Sequence, residues 1–386
     1  MTTAIVSGAL ANKYLNGGSV WTRLSYALGL KKLGFQVYFV EQINREGCVD
    51  AAGGLTSFAN CANLAFFQQI TGQFGLSGSS ALVYENSEQT HGLSWAELLD
   101  LAEADLLVNI SGHLTLGPLK RRPRRKVYVD QDPGFTQFWH AAGNAGSRLD
   151  GHDYYFTIGE NIGTPACSIP TGGVRWRRTR QPVVLEHWPV SSEGGRDRFT
   201  TVASWRGPYG PVQQGDTTFG LKAHEFRKFI ELPERARQTF EIALDIHPAD
   251  GKDLSALRRH GWQIVDPKKV APDPIGFRRY VQTSGAEFSV AQGVYVQTES
   301  GWFSDRTVRY LASGKPALVQ DTGFSRNYPV GEGLVAFRTL DDAVAGAERI
   351  ARAYDHHCRA ARALAEEFFD SDRVLGRLIE EVGVSP

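Results

Sequence analysis

Thr298-Glu299-Ser300-Gly301-Trp302-Phe303-Ser304-Asp305-Arg306, continued by Thr307 to Ser313 and Gly314-Lys315-Pro316, carries a helix with both of its ends spelled out. Ser304 is an N-cap residue type, Asp305 to Ala312 is the helix, Gly314 ends it, and Pro316 opens the next strand. The run Gly293 to Gln297 ahead of it reads as a strand. Strand, glycine loop, helix and strand in this order make a βαβ unit, the building block of a parallel α/β sheet. A helix start beside a glycine-containing loop also offers free N–H groups and a positive dipole end, which suits phosphate. The same pattern serves equally as a plain βαβ unit with ordinary caps.

The alternation extends over nearly the whole chain. At the start, Thr3 to Leu10 reads as a strand, Asn16-Gly17-Gly18-Ser19 as a turn, Val20 to Leu33 as a helix stopped by Gly34, and Gln36 to Val40 as a strand. An acidic helix, Ser94 to Glu103, precedes a buried strand at Asp105 to Ile110, and further strands follow at Lys126 to Val129 and Tyr154 to Ile158. The arginine-rich stretch Gly172 to Pro189 reads as a passage between domains. A second series has strands at Phe199 to Ala203, Phe240 to Asp245, Trp262 to Val265, Gly293 to Gln297 and Pro316 to Gln320, and Asp341 to Val382 is mostly helical. The expected fold class is α/β, with two doubly wound Rossmann-like domains facing a cleft, residues 1–185 and residues 195–365, followed by a helix over 366–386.

Length and charge agree with this and exclude other classes. A chain of 386 residues is too long for one ordinary core. Lys plus Arg and Asp plus Glu are 42 each, so there is no basic excess, and nucleic acid is not expected as a partner. The dense basic run Lys120 to Lys126 reads as a solvated loop. Cys48, Cys61, Cys167 and Cys358 show no metal-like spacing and read as reduced thiols. With no signal-peptide pattern at Met1 to Leu10 and no apolar run long enough for a membrane helix, the expected location is the cytoplasm.

The run Ser300 to Arg306, with Tyr310-Leu311-Ala312-Ser313-Gly314-Lys315-Pro316 and the turn Asp321-Thr322-Gly323-Phe324, resembles the donor-binding signature of GT-B glycosyltransferases of the family 1/4 type. The resemblance implies that residues 1–185 receive an acceptor, that residues 195–365 bind a nucleotide sugar, and that the helix over 366–386 crosses back to the first domain. It implies a diphosphate at the helix start, with Gly301, Ser304, Asp305 and Arg306 around it. The next turn, Asp321, Thr322 and Gly323, would then meet sugar hydroxyls, and Gly17 and Gly18 would face the donor from the other domain. Arg206 and Lys222 stand where similar enzymes clamp the diphosphate, and His113 resembles a residue that contacts the donor sugar. One departure is clear: the paired Glu residues of many retaining members fall here on Gly301 and Arg309.

Asp130-Gln131-Asp132 closes a strand of the first half, so either Asp130 or Asp132 is a candidate general base; the segment also reads as a plain turn or, less naturally, as a metal-binding D-x-D. The expected activity is therefore metal-independent transfer of a sugar from a nucleotide-sugar co-substrate, with no other cofactor, to an acceptor that is a small molecule, a natural product or a glycan. A sugar-nucleotide epimerase and a non-catalytic sugar-nucleotide-binding protein are the competing readings.

Overall fold

The computed structural model describes the whole chain, Met1 to Pro386. The first sheet holds β1 (Thr3–Ser7), β2 (Gln36–Ile43), β3 (Ser80–Tyr84), β4 (Thr90–Gly92), β5 (Leu106–Ile110), β6 (Arg125–Asp130), β7 (Tyr154–Thr157) and β8 (Trp176–Arg178). Its order is β4-β3-β2-β1-β5-β6-β7-β8, parallel except for the β3–β4 pair. The order reverses at β1, so the crevice beyond its carboxyl end is where a doubly wound sheet takes its ligand. β1 from Ala4 onward and all of β5 are buried on both faces, as strands covered by helices on both sides require.

The second half holds β9 (Arg198–Ser204), a hairpin of β10 (Val212–Gln214) and β11 (Thr217–Phe219), then β12 (Thr239–Asp245), β13 (Gln263–Val265), β14 (Ala286–Ser289), β15 (Ala317–Gln320) and β16 (Leu334–Phe337). All but the hairpin form one parallel sheet, order β13-β12-β9-β14-β15-β16. Its core is aromatic: Phe288 stacks on Phe337 at 5.2 Å, with Phe240 and Trp262 packed beside them.

Two expectations are corrected here. Gly293–Gln297 is a short helix, and the strand before the Asp305–Ala312 helix is Ala286–Ser289. Val294, Tyr295 and Val296 are β-formers by type, but they pack against the hairpin and the helix Phe135–Ala141. Tertiary contact outweighs an intrinsic preference of this size. The arginine-rich passage also contributes a strand, β8, to the first sheet.

The halves are sewn together. Trp21 on the helix Gly17–Lys32 donates from Nε1 to the Pro274 carbonyl at 2.7 Å and packs on the buried Trp188. The last helix, Ser371–Val382, lies on the Gly17–Lys32 helix at Gly29, where a Cβ would stand 2.5 Å from Leu375. Phe369 stacks on Phe303 just before that helix, and backbone hydrogen bonds join Val183 to Phe369 and Ser371 to Val183. No helix is long and apolar enough to cross a membrane.

Candidate functional site

A cavity of about 250 Å³ lies between the two sheets. The first half supplies Lys13, Arg23, His113 and Asp132 to its wall, and the second supplies Tyr209, Tyr295, Trp302 and Asp305. The elements explain why these residues converge. Lys13 follows β1, His113 follows β5, Asp132 follows β6, and Asp305 opens a helix of the opposite sheet, all at strand or helix ends turned toward the crevice, while Arg23 reaches it from the second turn of the helix Gly17–Lys32.

Asp130 and Asp132 part company. The Asp130 carboxylate has no exposure and accepts from Thr136 Oγ1, Gln137 Nε2 and Thr157 Oγ1 at 2.7, 2.8 and 2.7 Å, and from the Asp132 N–H. Its oxygens are occupied, so Asp130 ties β6 to β7 and is not a candidate base. Asp132 faces the cavity, where its one side-chain partner is the Tyr209 hydroxyl at 3.4 Å. Burial, and then the Asp130 charge, push Asp132 up to about 6, against the pull of Arg23 and Lys13. It is therefore mostly ionised at neutral pH, with lone pairs to spare.

His113 is pushed down to about 3 by burial and then by Arg23, Arg148 and Lys13. It is a neutral imidazole at working pH, able to donate or accept a hydrogen bond but not to act as a cation. Lys222 is pushed down to about 7 by burial and by the neighbouring Arg306, with Asp305 and Glu287 opposing. Its backbone N–H is held by Gln292 Oε1 at 2.8 Å, which fixes the start of the helix Lys222–Arg227. Its ammonium has no ion pair or hydrogen bond in the chain.

Ser304 caps the Asp305–Ala312 helix as expected, accepting from the Arg306 N–H at 3.2 Å. Such a cap is worth about 1 kcal/mol. Asp305 lines the cavity, accepts from Thr22 Oγ1 at 2.8 Å and pairs with Arg309, so it is held by both halves.

The other expected donor-site residues are engaged elsewhere. Arg306 is spent on Glu287, the Val202 carbonyl and Ser289. Arg206 is exposed and held in a two-point pair with Asp250 at 2.7 and 2.8 Å, outside the cavity wall. Asp321 holds the Gly323 N–H, Ser325 and Arg338, and Thr322 Oγ1 donates to the Trp302 carbonyl. Four glycines read as ligand contacts are protein contacts instead. A Cβ on Gly17 would fall 2.0 Å from the Asp273 carbonyl oxygen, and one on Gly18 would meet the Phe277 ring at 3.0 Å. Gly301 (φ +74°) and Gly323 (φ +86°) both close on Asn161, which bonds the Glu299 and Gly323 carbonyls.

Lys13, Arg23 and Tyr209 escape a motif reading, and Trp302 lies inside the Ser300–Arg306 run without being singled out by it. For Arg23 a signal exists: it is a cation on the face of a helix shared with Val20, Trp21, Leu24 and Ala27, all buried. Tyr209 lies in the turn before the β10–β11 hairpin, which reaches across to the first half. Its ring packs on Phe135 and Trp139 at 4.9 and 4.8 Å, and Phe219 stacks on Phe138. The basic run at 120–126 is dispersed: Arg124 pairs with Asp105, Lys126 with Asp153, and Arg125 bonds the Val382 carbonyl.

Solved structures share this fold from end to end. An alpha-glucosyltransferase (AGT) in complex with UDP matches over 100% of both chains at 13% identity and a TM-score of 0.59. Anabaena HepE in complex with UDP-glucose matches 99% of this chain and 100% of its own at 12% identity, TM-score 0.60. Sucrose-phosphate synthase from Thermosynechococcus elongatus matches 99% of each chain at 11% identity, TM-score 0.53. The chain has the GT-B fold. No protein-family model matches the sequence and no curated protein is similar to it in sequence. An alpha-glucosyltransferase has also been solved in complex with UDP and a 13-mer DNA containing a HMU base, at 13% identity and a TM-score of 0.60, so the fold does not carry the expectation that nucleic acid is not a partner.

Proposed function

We propose that the chain is a glycosyltransferase that moves a sugar from a nucleoside-diphosphate sugar, of the UDP type held by its structural neighbours, to a hydroxyl of an acceptor. The observation that carries the reading is the cavity shared by Asp305, at the capped start of a helix, and Asp132, which faces it from the opposite sheet, with Lys222 unpaired behind the wall and near enough to Asp305 to feel its charge.

The diphosphate lies at the start of the Asp305–Ala312 helix, where dipole and N–H groups favour negative charge and Lys222 neutralises it. His113, held neutral, bonds the donor sugar. Asp132 takes the proton of the acceptor hydroxyl as its oxygen bonds to the anomeric carbon; the bond from that carbon to the phosphate oxygen breaks, and the nucleoside diphosphate leaves with the electron pair. Charge building on the leaving diphosphate meets groups already in place and partly shielded from water, where they act most strongly. The cleft also converts a bimolecular encounter into a local one.

Transfer without a metal is part of this reading, supported by Asp130, whose lone pairs are all engaged and so are not offered to a D-x-D site. Four free thiols fit action in a reducing compartment such as the cytoplasm. The test is UDP release from UDP-glucose in excess chelator, alongside a thermal-shift series of nucleoside diphosphates. The expected outcome is stabilisation by UDP and turnover that chelator leaves unchanged; complete loss restored by manganese would overturn the metal-free mechanism.

A further inference from the structure

The first half brings more positive charge to the cleft than the donor requires. Lys13 stands on the turn Ala11–Lys13 after β1, and that turn is built to hold it: the buried Glu41 carboxylate accepts the N–H groups of Leu10, Ala11 and Asn12 at 2.8, 2.8 and 2.9 Å. Glu41 is thereby occupied and offers Lys13 no ion pair. Arg23 is 8% exposed, and its Nε is buried without a partner; Nη1 donates to the Ser19 carbonyl of its own helix at 3.0 Å. Room for its stem comes from Gly8, where a Cβ would press to 2.8 Å on Arg23 Cγ. Neither cation enters a salt bridge, although both line the cavity. Of the carboxylates that share that wall, Asp305 is taken by Thr22 and Arg309, which leaves Asp132 alone to face two cations. A third cation, Arg148, stands near His113 and is also without an ion pair.

The donor's diphosphate has its own partners on the second half, Lys222 and the helix start. We propose that Lys13 and Arg23 form the anion-binding end of the acceptor subsite, so that the acceptor is a small hydroxyl compound bearing a phosphate or a carboxylate. A cavity of about 250 Å³ suits a small molecule. The inference rests on the transferase reading and adds the class of its second substrate. The Arg23 guanidinium keeps an Nη2 with no partner in the chain and gains a charge-assisted bond from such a group, whereas a neutral sugar would offer it no counter-charge.

The test titrates the full chain, with and without saturating UDP, with glucose 6-phosphate, glucuronate and glucose. At least one charged sugar is expected to bind about tenfold or more tighter than glucose, the return of one charged hydrogen bond. Preference for glucose 6-phosphate alone identifies a phosphate ester, and preference for glucuronate identifies a carboxylate. Lys13→Gln should erase the preference and leave UDP affinity unchanged. Arg23→Lys, which keeps the charge but not the fork, should reduce it with the circular dichroism spectrum unaltered. Equal binding of the three sugars overturns the inference, as does a Lys13→Gln variant that keeps the preference or that loses UDP affinity as Lys222→Ala does. Lys13-dependent binding of a DNA oligomer in place of the sugars also overturns it. If the wild-type chain bound no UDP, the transferase reading would fall, while Lys13-dependent binding of glucose 6-phosphate without nucleotide would still uphold the anion end.

Discussion

The two halves of this protein meet in two different ways, and glycine marks only one of them. Along the seam, Gly17 closes on Asp273, Gly18 on Phe277, and Gly301 and Gly323 on Asn161. A few residues away the halves stand apart, and the gap is walled by long polar and aromatic side chains: Lys13, Arg23, Asp132, Tyr209 and Trp302. A glycine-rich loop at a helix start fits a phosphate and fits another backbone for the same reason, the absence of a Cβ. Sequence alone records the close approach and not what approaches. Here the approaching group is the other half of the protein, and the ligand space opens beside the seam.

The largest effect is expected where the seam is filled. Gly17→Val drives a side chain into the Asp273 carbonyl, and Gly301→Val drives one into Asn161 at a positive φ that a β-branched residue resists. Each should cost about 3 kcal/mol or more, the upper range for overpacking, and lower the thermal midpoint accordingly. Gly301 separates the two accounts most sharply: a native midpoint with lost UDP binding would return the loop to the phosphate and break the contrast between seam and cavity.

Asp132 tests the other side of that contrast. Asp132→Asn should leave the fold and UDP affinity near wild type and reduce turnover by about 10²–10⁴-fold, the usual worth of a general base. Asp130→Asn should act through stability instead, since it replaces an acceptor of three side-chain hydrogen bonds. The pH profile follows from two groups. A base with a pKa raised to about 6 is lost as pH falls through that value, and a cation lowered to about 7 is lost as pH rises through that value. kcat/KM should therefore be bell-shaped with limbs near these values, and Asp132→Asn should remove the acid limb alone. Lys222→Ala comes next in size, weakening UDP by about 1.5–3 kcal/mol, the scale of a hydrogen bond to a charged group, with little change in thermal midpoint.

What the sequence disclosed divides along the same line. The central strands of both sheets are legible from the alternation of apolar runs and capped helices, while β3, β4, β8, β14 and β16 are not read, and Ser304, Gly314 and the turn at Asp321 to Gly323 sit where local pattern places them. These features depend on residues within a turn of one another. The Gly293–Gln297 helix was misread because its β-forming residues are governed by the hairpin and by Phe135, far away in sequence. Asp130 and Asp132 are two residues apart and of one type; only the sheet decides that the first meets Thr136, Gln137 and Thr157 while the second meets open space. Lys13 and Arg23 carry no motif, and their role depends on what faces them across the cleft.

The smallest effect is expected at Arg206, and its smallness is informative. Position in the chain makes Arg206 and Lys222 equivalent: each follows the first strand of the second sheet, and each is a cation within reach of a clamp by analogy. Their surroundings differ. Arg206 is exposed and already gives Nε and Nη2 to the two oxygens of Asp250, whose carboxylate is drawn below its ordinary range by that bond. To reach a diphosphate it would have to abandon this partner and swing back past Trp205, which is buried and anchored by Nε1 to Asp253. Exposed pairs of this kind are screened by solvent and contribute little to stability. Arg206→Ala should thus leave both the thermal midpoint and UDP affinity unchanged within error, while Lys222→Ala weakens UDP in the same titration. Equal losses in the two variants would mean that the Asp250 pair opens when the donor binds, and the boundary drawn here between occupied and available cations would have to move outward to include Arg206.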